Sequence, residues 1–566
     1  MIFQALIEYY DRLAKDSRVP PFGFSQEGIG FSITINPRGE IVGEPRDLRH
    51  KVASGKYEYY TSEVPYRNEV NVRSSGAAKV ANFMVDKADY IFGMSGNSKR
   101  EVHHQSFREL VDKVCGDSKD PGVRAVKAFL SNWKIEDSSK LPYWKELSSP
   151  NGKWIAFELE GERGFIHERP EVKSLWKKYL EKEIHKYPEG ISFVSGVQTR
   201  IQTQFAQFKF GSGASLVSFN ESAYESYGKK RGWNAPIDVL EEFKASTALK
   251  QLINSKNQRI YLADTTVVFW TERDSPVETF MGMILDPRED FYRDNKELQV
   301  FLEAAQKGTL PHKLSFEGDV KFYVLGFSVN KARLAIRFWY VCTVDELRVN
   351  IGAHFRDLEM ERERQTDPKY PGIWHLLKET AVESNKIHPL LAGSLLRSVL
   401  AGHKYPLNLY QGVFSRVRAD RKIRYLRAAI IKAVLTRNFN MEVPMSLNTN
   451  KKDISYLLGR LFAILEKTQY DALGQVNTSI KDRFFSSACA APASVFPILL
   501  RLGQYHIEKS DYGNVSDKRI AEVMDMIDEF PAHLNLKEQG LFALGYYHQK
   551  NALWRKQPKD DGGENE

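Results

Sequence analysis

Between His403 and Asn440 the chain carries nine basic side chains against one acid, Asp420. They are Lys404, Arg416, Arg418, Arg421, Lys422, Arg424, Arg427, Lys432 and Arg437, and the stretch nets +8 in a chain of 566 residues whose formal charge is +9. Ile423, Leu426, Ile430 and Val434 recur at helical spacing. A helix over 415–436 would therefore turn an apolar face inward and cover most of its remaining surface with cations. Charged helices usually alternate acids with bases, and such a run is then only a solvated face. Here the acids are missing, so the face repels itself unless an anion lies against it. Arginine outnumbers lysine, which suits bidentate contact to phosphate. A membrane surface is the competing anion, but the bulky apolar residues here are committed to a helical core.

A second cluster, Lys229-Lys230-Arg231, follows Tyr224 and Tyr227 and precedes Gly232-Trp233-Asn234. Aromatics interleaved with cations and glycines can stack and clamp single-stranded bases, although an exposed turn has the same composition. A third stretch, Asn71-Val-Arg73-Ser74-Ser75-Gly76, places a guanidinium and two hydroxyls before a helical pattern over 77–83. That is an anion site at a helix start, or simply an N-cap.

The motifs of cofactor and hydrolytic chemistry fail on inspection. Phe210-Gly211-Ser212-Gly213-Ala214-Ser215 is rich in small residues but lacks the Gly-Lys-Ser/Thr of a phosphate loop, and Leu216 stands where a dinucleotide fingerprint needs glycine. Gly93-Met-Ser95-Gly96-Asn97 lacks the closing glycine of a nucleophile elbow. His103-His104 are adjacent and have no ligand-spaced partner, and His354 with Asp357, and His533, read most simply as helix-surface or core histidines. Cys115, Cys342 and Cys489 form no C-x-x-C pair and read as buried, inert thiols of a reducing cytosol. The expectation is a chain without metal, cofactor or catalytic residues. A nuclease with a weak signature stands as the alternative.

These clusters need a scaffold of more than one core, because 566 residues exceed what a single core holds. With 42% apolar and 27% charged residues the composition is that of ordinary globular protein. Residues 1–20 carry an amphipathic helical pattern, and 29–42 alternate around a Pro37/Gly39 turn as a hairpin would. Further helix is expected over 105–130, and strands at 154–158, 267–270, 324–328 and 334–342. From about 347 helical periodicity takes over, at 374–385, 389–402, 415–436, 454–469, 495–509 and 517–527. The fold class is α+β: an irregular mixed α/β region over 1–345, a helical segment with the basic helix over 346–440, and a C-terminal bundle over 441–557. Residues 558–566 have no apolar content and read as a disordered tail. No stretch approaches 18 uncharged apolar residues, so a soluble, cytoplasmic protein is expected.

Ordered along the chain are segments that resemble the large subunit of the type I-C CRISPR Cascade surveillance complex. They begin with Tyr9-Tyr-Asp-Arg-Leu13 and Pro20-Pro-Phe-Gly-Phe-Ser25, and include the run from Phe210 to Pro236. Asp264-Thr-Thr-Val-Val-Phe-Trp270, the 325–339 stretch, 458–469, Ser479-Ile-Lys-Asp-Arg-Phe-Phe485, Phe530-Pro-Ala-His-Leu534 and 539–549 follow. The approach to Gly211 departs from the family: Phe208-Lys-Phe210 stands in place of a Gly-Ala-Gln-Ser-like run, and 198–207 also differ. The resemblance implies a non-catalytic subunit that sits at the guide RNA's 5′ handle beside the backbone subunits. It implies recognition of the short target-flanking motif (PAM), duplex opening, a hold on the displaced strand, and a platform for a separate helicase-nuclease. It further implies a small subunit made by internal initiation, for which Met441 and Met445 are the candidate starts. On this reading Arg416, Arg418, Arg421, Lys422, Arg424 and Arg427 contact nucleic-acid backbone, extended by Arg460, Lys481 and Arg483. Lys229, Lys230, Arg231 and Asn234, with Arg73, Ser74, Ser75 and Asn82, contact the PAM duplex or the handle.

Overall fold

A computed structural model describes residues 1–53, 55–66, 80–93, 98–149, 152–208, 210, 213–219, 221–262, 264–285, 300, 302–304, 306–307, 318–330 and 332–554. Arg73, Ser74, Ser75, the Gly211-Ser212 pair and the 558–566 tail lie outside these residues. The chain is α+β and divides into two compact units, Met1–Asn254 with Val329–Ala335, and Ser255–Ser328 with Ile336–Glu566. The change of pattern near 345 is thus not where the units part. The strands after 255 share one apolar core with the helices that follow, from Ile260 and Phe269 through Phe355 to Tyr547.

In the first unit the strand Phe24–Ile35 organises the sheet. It runs antiparallel to Tyr60–Pro65 and to Arg46–Asp47, and parallel to Trp154–Leu159. The expected Pro37/Gly39 turn forms, with Gly39 N–H donating to Asn36 O, but its return is a single bridge, Ile35 to Ile41. The first helix, Ile2–Lys15, buries Leu6, Tyr10 and Leu13, as its periodicity requires. The helix expected over 105–130 is two, Ser98–Cys115 and Pro121–Asn132. Asp120 caps the second by accepting from Val123 N–H, and Pro121 fits its first turn. The part of 77–83 that is described, from Val80, is not helical.

In the second unit Arg259–Leu262, Thr265–Thr271, Lys321–Asn330 and Arg333–Thr343 follow one another as sheet neighbours. Thr343 and Glu346 form a capping box that starts the helix Val344–Leu358. Pro389–Ala401 ends on left-handed Gly402, as the sequence suggests. The helix expected over 374–385 stops at Lys378, and the one over 415–436 breaks in two, Leu407–Asp420 and Tyr425–Phe439. The bundle is built around Leu536–Trp554, in which every residue from Gln539 to Gln549 is buried. It crosses Ile454–Leu473 so closely that a Cβ on Gly459 would stand 2.0 Å from Phe542 O, and one on Gly545 2.1 Å from Tyr456 O. Glycine is required at both positions.

All three cysteines are free and buried, and burial pushes each thiol up to about 12. Among the described residues no helix is long and apolar enough to cross a membrane.

Candidate nucleic-acid interface

The break between Leu407–Asp420 and Tyr425–Phe439 decides which cations face outward. Asp420, the one acid of the stretch, is surrounded. It accepts from Arg416 at 2.9 Å, from Arg427 at 2.6 and 2.9 Å, and from Lys422 N–H at 3.1 Å. Burial raises the Asp420 carboxyl, but the bonds from Arg427 and Lys422 and the charges of Arg427 and Arg416 outweigh it and hold it below its ordinary value. Arg427 also donates to Glu379 at 2.8 Å and is only 6% exposed. Lys432 is buried and donates to Arg356 O and Asp357 O, the last carbonyls of Val344–Leu358. Arg437 donates to Asp357 at 2.5 Å and stacks on Tyr405, its guanidinium 4.4 Å from the ring centroid. Four of the nine cations are therefore spent inside the protein.

This corrects the sequence reading at several residues. Arg427 is enclosed by carboxylates and cannot reach a phosphate, and Arg416 is tied to Asp420. Arg460 is buried, donating to Gln549 Oε1 and Thr449 O, with its guanidinium lowered by burial. Lys481 is half-buried over the Tyr546 ring; burial and then the charge of Lys550 lower it to about 8. Asn82 is fully buried, its amide donating to Val85 O and its backbone N–H to Asp86. It shapes a turn and presents nothing at the surface.

What remains outward is compact. Arg418, Arg421, Lys422 and Arg424 are exposed, and Arg421 comes within 3.8 Å of Asp482. That contact brings the turn beside the start of the helix Ile480–Ala490, where Arg483 is exposed. Among the described residues Lys422, Arg424 and Arg483 have no ion-pair partner. Arg421 takes φ 55°, in the left-handed region, at the helix C-terminus, where glycine is the usual residue. Such backbone strain tends to persist where function holds it.

The first unit presents the second cluster in the same manner. Residues 226–229 make a tight turn, with Tyr227 at φ 51° and Gly228 at φ 71°, and Tyr227 is 98% exposed at its tip. Lys229, Lys230 and Arg231 are exposed, Arg231 at φ 49°. Asn234 is the staple of this loop: its Oδ1 accepts from Ser226 N–H and Oγ–H, and its Nδ2 donates to Lys229 O and Arg231 O. Its amide is thus engaged by the loop's own backbone and by Ser226.

One surface escaped the sequence reading. Tyr470 and Trp554, 51% and 38% exposed, stand 6.4 Å apart at the ends of Ile454–Leu473 and Leu536–Trp554. Lys467 lies 5.7 and 5.5 Å from the two rings, and Lys550 lies 5.5 Å from Trp554. The i,i+3 spacing of Lys467 with Tyr470 and the i,i+4 spacing of Lys550 with Trp554 were the available signals. Flat rings flanked by ammonium groups are suited to stacking bases of a single strand.

A catalytic-looking pair is also present and is structural. Ser62 Oγ lies 3.0 Å from His167 Nε2, yet its hydroxyl donates to Glu168 at 2.7 Å. Ser62 and His167 are both buried, and burial followed by the charge of Lys173 lowers the imidazole to about 3. A nucleophile there meets no substrate.

A family model described as CRISPR-associated protein (Cas_Csd1) matches residues 6–554. None of the curated proteins compared matches the chain.

Proposed function

The chain belongs to the Cas_Csd1 family of CRISPR-associated proteins, and from that premise we propose that it is the non-catalytic large subunit of an RNA-guided type I-C Cascade complex. The observation that carries the nucleic-acid part is the set of outward cations left over after internal pairing: Lys422, Arg424 and Arg483, with Arg421 and Arg418 beside them. Lys422 and Arg424, held at a strained turn with no ion-pair partner among the described residues, and Arg483 nearby suit a polyanion that neutralises them.

The two units then divide the work. The Lys229–Lys230–Arg231 loop with Tyr227 meets the guide's 5′ handle or the PAM duplex, and the helical unit grips target backbone and the displaced strand. Guide pairing reads sequence while the protein reads a short duplex motif and backbone shape. The partners of this reading are the guide RNA, target DNA, the backbone subunits, a small subunit begun near Met441 or Met445, and a helicase-nuclease that docks and cuts.

The test is to purify the chain together with the products of its neighbouring genes. The bound RNA is then sequenced, and target binding is scored across a randomised flanking motif. Guides sharing one 5′ handle and a preferred flanking motif are expected. Neither RNA nor motif preference would contradict the reading, and metal-dependent cutting by the isolated chain would contradict its non-catalytic part.

A further inference from the structure

The first unit contains a cleft of about 230 Å³ whose lining comes from several segments, among them Arg18–Pro20. The helix Val239–Asn254 supplies one wall with Phe243, Thr247, Gln251 and Asn254, residues spaced along one of its faces. The start of the strand Phe24–Ile35 supplies another through Ser25, Gln26 and Glu27, and Gln207, Phe208 and Phe210 close the third side, with Tyr66 at the edge.

Lys250 and Glu27 balance each other within this cleft. Lys250 donates to Ser25 Oγ at 3.1 Å and to Glu27 at 3.3 Å, and Ser25 itself donates to Glu27 at 3.0 Å. The ammonium group, 5.8 Å from the Tyr66 ring, is thereby committed to Glu27 rather than left for a phosphate. Arg18 also lines the cleft and has contacts of its own; what the cleft otherwise offers outward is neutral. Gln26, Gln207, Gln251 and Asn254 are all exposed, and among the described residues none of their side-chain amides has a hydrogen-bond partner. Each carboxamide holds a donor pair and an acceptor side by side, the pattern that pairs in bidentate fashion with the N6/N7 edge of adenine. Aromatic walls accept a flat ring. The volume is below the roughly 300 Å³ at which drug-sized pockets begin, and suits a single heteroaromatic ring system.

We propose that this cleft holds one unstacked nucleobase, an adenine, from a single strand bound to the chain. Bases inside a duplex cannot enter it, because their faces are stacked. The proposal rests on the nucleic-acid reading above and adds to it a base-reading site.

The experiment measures binding of the full chain to labelled hexanucleotides of adenine and of cytosine, each as RNA and as DNA, by fluorescence anisotropy. Wild-type protein should prefer adenine by about 5- to 100-fold. Gln251→Leu/Asn254→Leu should abolish that preference while leaving cytosine binding, its salt dependence and the unfolding midpoint unchanged. Gln26→Ala, on a different element, should reduce the preference independently, so that misfolding of one variant does not decide the matter. A larger preference within RNA assigns the base to the guide, and a larger one within DNA to the displaced strand. Equal binding of all hexanucleotides, or a preference that survives in both variants, would overturn the base site and leave the nucleic-acid reading intact. Failure of every hexanucleotide to bind at any salt would overturn both.

Discussion

Replacing Arg427 by alanine should destabilise the second unit by about 3 kcal/mol, because it strands Glu379 in a partly buried site and leaves Asp420 to Arg416 and Lys422 N–H. Arg427 is the only side chain that bonds both Asp420 and Glu379 among the described residues, and so ties the end of Ile373–Lys378 to the turn between Leu407–Asp420 and Tyr425–Phe439. It also donates to Lys422 O at 2.7 Å, fixing the backbone from which Lys422 and Arg424 project. Arg424→Ala, three residues away on an exposed side chain, should stay within about 0.5 kcal/mol of wild type. Urea denaturation of the two variants separates them. Equal midpoints would mean that Arg427 is not the internal clamp described above.

The second large effect is a loss of stability on mild acidification. His354 accepts or donates at Tyr405 (2.8 Å), and burial followed by the charge of Arg437 lowers it to about 3. His548 sits 3.0 Å from Tyr456 Oη, lowered to about 4 by burial and then by Lys432, and His167 is lowered to about 3. An unfolded histidine titrates near 6.5, so these sites contribute no penalty above that pH. As pH falls below it the unfolded chain takes up protons that the folded chain refuses, and stability declines toward the folded values near 3 to 4. At pH 5 the cost is about 2 kcal/mol for each such histidine. The denaturation midpoint should therefore drop between pH 7 and pH 5, and His354→Asn or His548→Asn should flatten the drop. A midpoint that falls just as steeply in both variants would show that other groups carry the acid sensitivity.

The sequence revealed the charge but not its destination. A helical wheel counts only local acids, and the carboxylates that take up Arg427 and Arg437 lie 48 and 80 residues away, at Glu379 and Asp357. Nor could periodicity show the break at Arg421, a non-glycine residue forced into the left-handed region. Amphipathic helices such as Ile2–Lys15 and Pro389–Ala401 were legible from their apolar stripe and their cap. Leu536–Trp554 was not read as a helix, because an element buried on all sides has no polar face to mark its period. The parallel pairing of Phe24–Ile35 with Trp154–Leu159 joins segments more than a hundred residues apart, beyond any local pattern. The amide-lined cleft is likewise assembled from segments distant in sequence, and none of its glutamines stands out in its own stretch of chain. By contrast the Lys229–Lys230–Arg231 loop was visible as composition, since an exposed turn owes little to the rest of the fold.

On the function proposed above, the cations left unpaired by the fold neutralise nucleic-acid backbone. The most direct test is the salt dependence of target-duplex binding for the Lys422→Ala/Arg424→Ala/Arg483→Ala variant, with Arg421 kept because its backbone and its approach to Asp482 belong to the turn. An unchanged unfolding midpoint, weaker binding at low salt, and a log–log slope shallower by about 0.9 for each phosphate contact removed are expected. Wild-type affinity and slope at every salt concentration would contradict that role for these cations.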